Sequence, residues 1–391
     1  MKKILIVANI ISFIEKFNKE IIAYLKDHLH YEIHVACNTE YMNDTDAVFM
    51  LEYIDGLKRS GVVLHNTPIA RNPFNSTNID AYRELKGIID RECFDIIHCH
   101  TPVGALLTRF AARSARKKGT KVFYTAHGFH FYTGAPLLNW LVYYPVERFL
   151  ARWTDVLITI NKEDYTRAQK FKAGKVVYVP GVGIDVLKFS EPIAEEQRHE
   201  IRAGMGVPDD AVLLCSVGEL NGNKNHAVVI RALAQLENKN VHYCIAGEGD
   251  FRDRLTALSQ DLGVADRVHL LGYRTDIREL FKSSDIFCFP SLREGLPVSL
   301  MEAMASGLPC VTSRIRGNVD LAEGSGMFDP LDAEDCKNKL ESMIIVGEMS
   351  ENNDNTAKMM EYSGEKVIAQ MSELYFEVTE KATDRWKMQK V

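Results

Sequence analysis

Short apolar runs rich in β-branched residues alternate with longer amphipathic stretches along the first half of the chain. The runs lie at Ile4–Ala8, Ile33–Cys37, Val62–Leu64, Ile96–His100, Val122–Ala126, Val156–Thr159 and Val176–Pro180. An apolar run of this length predicts a strand, and the amphipathic stretches between the runs predict helices. Regular alternation of the two predicts a parallel sheet covered by helices.

The same pattern restarts after a glycine-containing segment at Pro180 to Asp185 and a charged helix predicted around Glu195–Met205. Strands are then predicted at Val212–Val217, Val241–Ala246, Val268–Leu270, Ile286–Phe289 and Cys310–Thr312. With 391 residues the chain exceeds one ordinary domain, so we expect two α/β domains, residues 1–185 and 186–363. A Rossmann dehydrogenase is disfavoured, because neither half opens with G-x-G-x-x-G after its first strand.

The composition excludes an integral membrane protein, because no apolar run reaches the roughly 18 residues that a membrane span needs. The apolar start of the chain resembles a signal peptide. Glu15 and Lys16 interrupt it, however, and no small-x-small cleavage site follows, so a first strand is the better interpretation. The eight cysteines form no CxxC pair, which predicts reduced, buried thiols in a cytoplasmic protein.

Charge is distributed unevenly between the two halves of the chain. Residues 1–190 carry a net charge of +6, whereas the whole chain carries −6. A basic amino-terminal half favours an anionic partner for that lobe, either a membrane surface or a phosphorylated acceptor. Chance asymmetry between two domains remains open as the alternative.

Two carboxylates in the stretch Ser291–Ser313 provide the most informative chemistry. Glu294 lies in the loop after a predicted strand, and Glu302 lies in a helix predicted over Val298–Ser306, with Pro297 as its first residue. In an open α/β sheet, ligands bind outside the carboxyl ends of the strands, where helix amino ends attract anions. A diphosphate with sugar hydroxyls beside it therefore fits this place.

This stretch resembles the E-x7-E signature of retaining glycosyltransferases of family 4, often called group 1. The resemblance rests on Gly295, Leu296, Pro297, Glu302, Ala303, Ala305, Gly307, Pro309 and Val311 together with Glu294. It covers nearly all of the chain. It implies a GT-B fold, in which two Rossmann-like α/β domains face each other across a cleft. It also implies that a last helix, within residues 364–391, crosses back to the first domain.

The resemblance implies a donor site in the second domain. Lys224, in the glycine- and asparagine-rich turn after Val212–Val217, matches a lysine that contacts the donor diphosphate. Glu302 would bind the ribose hydroxyls, and Glu294, as a catalytic residue, the hydroxyls of the transferred sugar. The expected donor-binding set also contains Gly218, Gly295, Leu296, Arg316 and Tyr273.

The chain departs from many of these relatives at two places. Glu219 follows Gly218 where an arginine is usual, and the loop Asn9–Phe13 lacks a glycine pair. Both departures put a donor-phosphate contact in doubt. They keep open two alternatives, a non-catalytic GT-B partner subunit of a glycosyltransferase and a sugar-nucleotide epimerase.

On the acceptor side, the resemblance assigns His127 as a catalytic residue near the transferred sugar. His100, in the His-Thr-Pro strand end, His130 and Arg71 are the expected acceptor-binding residues. A metal site at His98 and His100 is weakly supported, since two ligands lack a third, and the family implies no metal and no other cofactor. The aromatic segment 136–153 fits either an interfacial surface or a buried core helix.

Together these features predict a retaining glycosyltransferase that moves a hexosyl or N-acetylhexosaminyl unit from a nucleoside-diphosphate sugar, with a UDP-linked donor expected. Segments such as TAHGFHFY, YYPVER and INKED are similar to those of bacterial capsule and exopolysaccharide transferases. The resemblance implies a lipid diphosphate-linked sugar as acceptor and a cytoplasmic protein, peripheral at the inner face of the plasma membrane. No nucleic-acid partner is expected.

Overall fold

A computed structural model of the chain describes residues 1–40, 47–322, 326–346 and 355–388. These residues form two compact units. Unit 1 contains Met1–Gly183 and the segment that begins at Glu365, and unit 2 contains Ile184–Gly364. Each unit is an α/β domain with one parallel sheet, which confirms the two Rossmann-like domains predicted from the sequence.

Unit 1 is built on a parallel sheet of seven strands, whose order is β3-β2-β1-β4-β5-β6-β7. The strands are β1 (Lys3–Ile10), β2 (Glu32–Asn38), β3 (Val63–Asn66), β4 (Ile96–Cys99), β5 (Lys121–Ala126), β6 (Val156–Thr159) and β7 (Lys175–Tyr178). Its first helices are α1 (Ile11–Asp27), α2 (Ala47–Arg59), α3 (Thr77–Glu92), α4 (Pro102–Ala111), α5 (Arg113–Lys117), α6 (Leu137–Leu150) and α7 (Lys162–Ala168).

Unit 2 repeats this plan with six parallel strands in the order β10-β9-β8-β11-β12-β13. The strands are β8 (Val212–Val217), β9 (Val241–Ala246), β10 (Val268–Gly272), β11 (Ile286–Phe289), β12 (Cys310–Ser313) and β13 (Met327–Phe328). The helices are α8 (Val186–Ser190), α9 (Glu195–Gly204), α10 (His226–Gln235), α11 (Arg252–Asp261), α12 (Ile277–Ser283), α13 (Val298–Ala305), α14 (Asn318–Leu321), α15 (Ala333–Val346) and α16 (Asn355–Met359).

The last helix, α17 (Gly364–Met388), packs on unit 1. Tyr375 on this helix is fully buried, and its hydroxyl lies 2.6 Å from Nδ1 of His98 on β4. The Tyr375 ring also packs at 5.2 Å from the ring of Phe123 on β5. The amphipathic pattern of α17 therefore has a tertiary cause, since its apolar face completes one side of the unit 1 core.

Buried strands explain the continuous apolar runs of the sequence. Along β1, Leu5 and Val7 belong to one core cluster, while Ile4 and Ile6 belong to the cluster on the opposite face of the sheet. Successive strand residues point to opposite faces, so a sheet covered on both sides needs apolar residues at every position.

Three sequence predictions differ in detail from the structure, and one strand was missed. Pro297 is the residue before α13 and not its first residue, because its ψ of 119° is extended. Asn9–Phe13 is no loop, since β1 runs to Ile10 and α1 starts at Ile11. The two-residue strand β13 was not predicted, as it is too short for a pattern. Of the free cysteines, Cys93 is exposed and Cys310 is half-buried, whereas the others are buried as predicted.

None of the helices among the described residues is both long enough and apolar enough to cross a lipid bilayer.

Replacement of Tyr375 tests the contribution of α17 to the unit 1 core. Tyr375→Phe removes the hydroxyl that contacts His98 and should lower the free energy of unfolding by about 1–3 kcal/mol. Tyr375→Ala also empties a buried site and should cost about 3–5 kcal/mol. The neighbouring Phe376→Ala, at an exposed position, is the control and should cost about 0.5 kcal/mol. Urea unfolding would contradict this packing if the two alanine variants were equally stable.

Candidate functional site

The strand order of unit 2 reverses between β8 and β11, and the loops that leave these two strands meet there. The chain leaves β8 into the turn at residues 218–225 and then forms α10. It leaves β11 into the loop at residues 290–297 and then forms α13. A crevice between the carboxyl ends of two such strands is the usual ligand site of an open α/β sheet.

Lys224 and Glu294 form an ion pair at this point. Nζ of Lys224 lies 2.8 Å from Oε1 of Glu294, and it also lies 5.0 Å from the centre of the Phe289 ring. The lysine stem folds over Gly218, where a Cβ atom would come within 3.1 Å of the lysine Cε atom. A side chain at position 218 would therefore require the lysine stem to shift by a few tenths of an ångström.

Hydrogen bonds to backbone carbonyls fix the two loops against each other. The amide of Leu292 donates to the carbonyl of Asn223 at 2.8 Å, and Nδ2 of Asn223 donates to the carbonyl of Arg293 at 3.0 Å. Nδ2 of Asn225 donates to the carbonyl of Pro290 at 3.2 Å. These bonds hold the ion pair in one geometry before any ligand binds.

Glycines allow the neighbouring loops to pack backbone against backbone. A Cβ atom on Gly247 would lie 2.0 Å from the carbonyl oxygen of Gly218, and one on Gly317 would lie 2.3 Å from that of Gly295. Gly247 therefore lets the loop after β9 approach the loop after β8 closely.

Arg316 joins the same group of residues. It is buried, and its Nε atom donates to the backbone carbonyl of Glu294 at 3.1 Å. The structure thus brings together five of the expected site residues: Gly218, Lys224, Glu294, Gly295 and Arg316. Their common position follows from the parallel sheet, since each follows the carboxyl end of β8, β11 or β12.

The other expected donor residues of unit 2 occupy less central positions. Glu302 is partly exposed in α13, and the Leu296 side chain is buried just before that helix. Tyr273 is exposed after β10, the edge strand of the sheet. Glu219, the departure from the family pattern, is an exposed carboxylate beside Gly218.

In unit 1, two expected histidines meet at the carboxyl ends of adjacent strands. His100 follows β4 and His127 follows β5, and Nδ1 of His100 lies 3.1 Å from Nε2 of His127. The rings of Phe13 and Phe17, on α1, pack at 4.9 Å and 5.2 Å from the His127 ring. This apolar enclosure lowers the pKa of His127 to about 4 and that of His100 well below its usual value.

Asn18 determines which nitrogen of each ring carries the proton. Its Nδ2 atom lies 3.0 Å from Nε2 of His100, while its Oδ1 atom is buried without a partner. The reverse amide orientation would leave a buried N–H without an acceptor, which occurs less often than a carbonyl without a donor. With Nδ2 as donor, His100 accepts at Nε2 and donates from Nδ1 to His127. His127 then carries its proton on Nδ1.

His130 and Arg71 lie near the same edge of the unit 1 sheet. The His130 ring stacks on Tyr143 at 4.6 Å, and its carbonyl accepts from Asn139, so His130 contacts α6. Arg71 is exposed, and the carbonyl of the preceding Ala70 accepts from Nδ2 of Asn9 at 3.5 Å.

Sequence reasoning missed two polar residues of this edge. Oδ1 of Asn9 accepts from the Thr101 hydroxyl at 2.5 Å and from the Gly104 amide at 3.1 Å, which links β1 to the start of α4. Asn18 lies on the helix face that also buries Ile11, Ile14, Ile22 and Leu25. A polar residue within such an apolar stripe was the available signal for Asn18.

Among the described residues, one group has the ligand atoms and spacing of a metal site: Glu32, His34 and Glu92. Nζ of Lys3 lies 2.8 Å from Glu32 and 3.5 Å from Glu92, so a cationic side chain already forms ion pairs with both carboxylates. The group lies at the amino ends of β1 and β2, opposite the edge that carries His127. His98, beside His100, is engaged by Tyr375 and Thr125.

Several solved structures share this fold. Alr3699/HepE of Anabaena, in a complex with UDP-glucose, superposes with a TM-score of 0.76 over 96% of this chain and 100% of that chain, at 17% identity. A glycosyltransferase from Rickettsia africae gives the same TM-score over 96% and 98% of the two chains, also at 17% identity. At this identity the likeness establishes the GT-B fold alone.

Sequence comparisons extend the likeness to the family. EpsD of Bacillus subtilis, named as a glycosyltransferase, is 38% identical over 82% of this chain and 81% of its own length. The UDP-Gal:alpha-D-GlcNAc-diphosphoundecaprenol alpha-1,3-galactosyltransferase of Escherichia coli is 32% identical over 62% and 65%. Residues 14–186 match the family described as Glycosyltransferase Family 4, and residues 197–360 match Glycosyl transferases group 1. The chain therefore belongs to the group 1 glycosyltransferases of family 4.

Proposed function

We propose that this glycosyltransferase moves a hexosyl or N-acetylhexosaminyl unit from a UDP-sugar to a lipid diphosphate-linked sugar, with retention of the anomeric configuration. The product would be an intermediate of a bacterial surface polysaccharide. The observation that carries this proposal is the Lys224–Glu294 pair, at 2.8 Å, where the unit 2 strand order reverses.

The pair combines the two interactions that a sugar diphosphate requires. The Lys224 ammonium can neutralise the charge that grows on the departing diphosphate. The Glu294 carboxylate accepts hydrogen bonds, and sugar hydroxyls donate them. Arg316, bonded to the Glu294 carbonyl, adds a second positive charge. The amino end of α13 supplies backbone N–H groups next to Glu294.

Two comparisons support the choice of substrates. The related Escherichia coli enzyme is named for a UDP-galactose donor and a diphosphoundecaprenol-linked acceptor, and HepE, with the same fold, was solved with UDP-glucose. Arg71, exposed at the carboxyl edge of the unit 1 sheet, is the proposed contact for the acceptor diphosphate. His100 and His130 would shape the surface beside it. Such an acceptor places the reaction at the cytoplasmic face of the plasma membrane.

The proposed step exchanges one bond at the sugar C1 atom for another on the same face of the ring. The C1–O bond to the diphosphate breaks, and its electron pair stays on the phosphate oxygen. The acceptor hydroxyl forms the new C1–O bond, and its proton passes to that phosphate oxygen. Lys224 stabilises the leaving group, and Glu302 is proposed to hold the ribose hydroxyls.

His127 is proposed to act as a neutral hydrogen-bond donor. Its pKa of about 4 keeps it uncharged at physiological pH, and its proton lies on Nδ1 because Nε2 accepts from His100. Nδ1 makes no hydrogen bond within the described part of unit 1, and the side chain is partly exposed. A substrate hydroxyl or anionic oxygen could therefore accept this bond.

One observation favours a second candidate, a non-catalytic partner subunit. Glu219 places an exposed carboxylate in the turn that contains Lys224, and this charge opposes a diphosphate. The intact Lys224–Glu294 pair favours catalysis, because an unused site has no need to hold both charges partly buried. Binding of a UDP-sugar without nucleotide release would support the partner subunit. Turnover without any acceptor would support an epimerase or hydrolase.

Substitution of the two signature carboxylates tests their separate roles. With UDP-sugar and a lipid-linked acceptor extract, Glu294→Gln should lower nucleotide release at least about 100-fold while UDP affinity stays similar. Glu302→Ala should weaken UDP binding roughly tenfold or more, through lost hydrogen bonds to an ionised acceptor. Glu237→Gln, at an exposed position, should behave as the unsubstituted protein. Full activity of Glu294→Gln would remove the basis of the site assignment.

Lys224→Met tests the source of positive charge. We expect nucleotide release to fall at least about 100-fold, since the variant lacks the ammonium that is paired with Glu294 and proposed to stabilise the leaving group. Lys239→Met, whose amine contacts only a backbone carbonyl among its observed partners, is the control.

We also propose that no metal is needed, so excess EDTA should leave the rate of the unsubstituted protein unchanged. Loss of activity in EDTA, restored by Mg²⁺ or Mn²⁺, would contradict this.

NMR of histidine-labelled protein tests the state of His127. Its titration midpoint should lie below about pH 5, because the neutral form persists above a pKa of about 4. The ¹⁵N shifts should place the proton on Nδ1. Asn18→Asp, once ionised, can only accept from His100, so it should move the His127 proton to Nε2. A midpoint near pH 6.5, or an Nε2–H tautomer in the unsubstituted protein, would refute this arrangement.

A further inference from the structure

The outward side of α6 is an exposed apolar stripe. Its apolar side chains are between 36% and 73% exposed: Leu137, Leu138, Leu141, Val142, Val146 and Phe149. Their spacing follows the helical period, so they form one continuous surface along the whole helix. A contiguous apolar surface of this kind on a folded domain marks an interaction site. We call these six residues the α6 stripe.

The opposite side of α6 is fixed to the core of unit 1. Trp140, Tyr143 and Tyr144 pack against that core, and Leu150 is fully buried. Glu147 forms a buried ion pair with Arg109, with a distance of 2.9 Å from Oε2 to Nη1. Breaking such a pair would leave a buried charge without its partner. The helix therefore cannot rotate to bury its stripe, and the α6 stripe is a permanent feature of the surface.

Cationic and aromatic residues border the carboxyl end of the stripe. The guanidinium of Arg152 lies 4.4 Å from the centre of the Phe149 ring, and that of Arg113 lies 4.7 Å from the centre of the Trp153 ring. The Phe149 and Trp153 rings meet edge to face at 5.0 Å. Arginine, tryptophan and phenylalanine next to an exposed apolar face are typical of helices that lie in a membrane interface.

The segment that contains the stripe is strongly basic. Residues 101–155 contain eight Lys and Arg and two acidic residues, Glu147 and Asp155, which pair with Arg109 and Arg116. The whole chain carries a net charge of −6, so this positive region contrasts with the rest of the molecule. A positive region of this kind is complementary to an anionic lipid surface, which attracts nearby Lys and Arg side chains.

We propose that α6 docks unit 1 on an anionic phospholipid bilayer, with the α6 stripe among the acyl chains and Arg148 and Arg152 at the head groups. The helix has 14 residues, so it lies in the interface and does not span the bilayer. Its first turns contact His130, through the ring of Tyr143 and the amide of Asn139. This inference rests on the proposed function, since the docking serves to bring a lipid-linked acceptor to the edge that carries His127 and His130.

Vesicle sedimentation without nucleotide or acceptor tests this docking independently of the transfer reaction. The anionic vesicles contain phosphatidylcholine with about 30% phosphatidylglycerol. The full chain should bind them at least about tenfold more tightly than it binds vesicles of pure phosphatidylcholine. Leu138→Glu/Leu141→Glu should reduce binding to the anionic vesicles at least about tenfold. The control is Leu187→Glu/Leu331→Glu in unit 2. Leu187 is 68% exposed, matching Leu138 at 69%, so the control should bind as the unsubstituted protein does.

Three results would overturn the proposal. The first is absence of binding to anionic vesicles, and the second is an equal loss of vesicle binding in the two double variants. The third is a change of oligomeric state in Leu138→Glu/Leu141→Glu, measured by ultracentrifugation. The last result would identify α6 as a contact between copies of the chain. Transfer to a water-soluble, short-chain acceptor should be unchanged in Leu138→Glu/Leu141→Glu. Vesicle binding without any transfer would contradict the proposed function and leave the docking intact.

Discussion

Close backbone packing between loops controls the candidate donor site. The loops after β8 and β9 approach at Gly218 and Gly247, and those after β11 and β12 approach at Gly295 and Gly317. A Cβ atom at Gly247 or Gly317 would overlap a carbonyl oxygen of the neighbouring loop. Because these contacts involve backbone, they leave little freedom for relaxation. The orientation of Lys224 toward Glu294 depends on this packing, since both residues lie on the loops that it fixes.

The two units hold their candidate site residues in place by different electrostatic interactions. Unit 2 holds opposite charges in contact, and a bound diphosphate would compete with Glu294 for Lys224. Unit 1 holds uncharged imidazoles among aromatic rings, where burial keeps the pKa of His98 at about 3 and that of His127 at about 4. Charge stabilisation thus belongs to unit 2, and neutral hydrogen bonding belongs to unit 1. This division suits a reaction in which charge develops on the donor diphosphate and the acceptor contributes a neutral hydroxyl.

Helix α6 has one side in the core of unit 1 and one side, the α6 stripe, on its outer surface. One side of α6 supplies Tyr143 and Glu147 to the folded core, and the other side presents six apolar residues outward. The sequence left open a core helix and an interfacial helix. The buried side of α6 fits the first interpretation, and the exposed apolar side carries the proposal of the second. For a lipid-linked acceptor, a helix with both properties would position the domain while leaving its strand ends accessible.

The sequence by itself determined the two parallel sheets, because strands buried on both faces need continuous apolar runs and their helices need amphipathic ones. It also placed Glu294 in a loop and Glu302 in a helix, since Pro290 and Gly295 interrupt regular structure locally. Only the tertiary structure decided which of these residues touch. The Lys224–Glu294 contact joins loops 70 residues apart, and Asn18 reaches His100 across 82 residues. Such contacts depend on strand order and helix packing, which local periodicity does not encode.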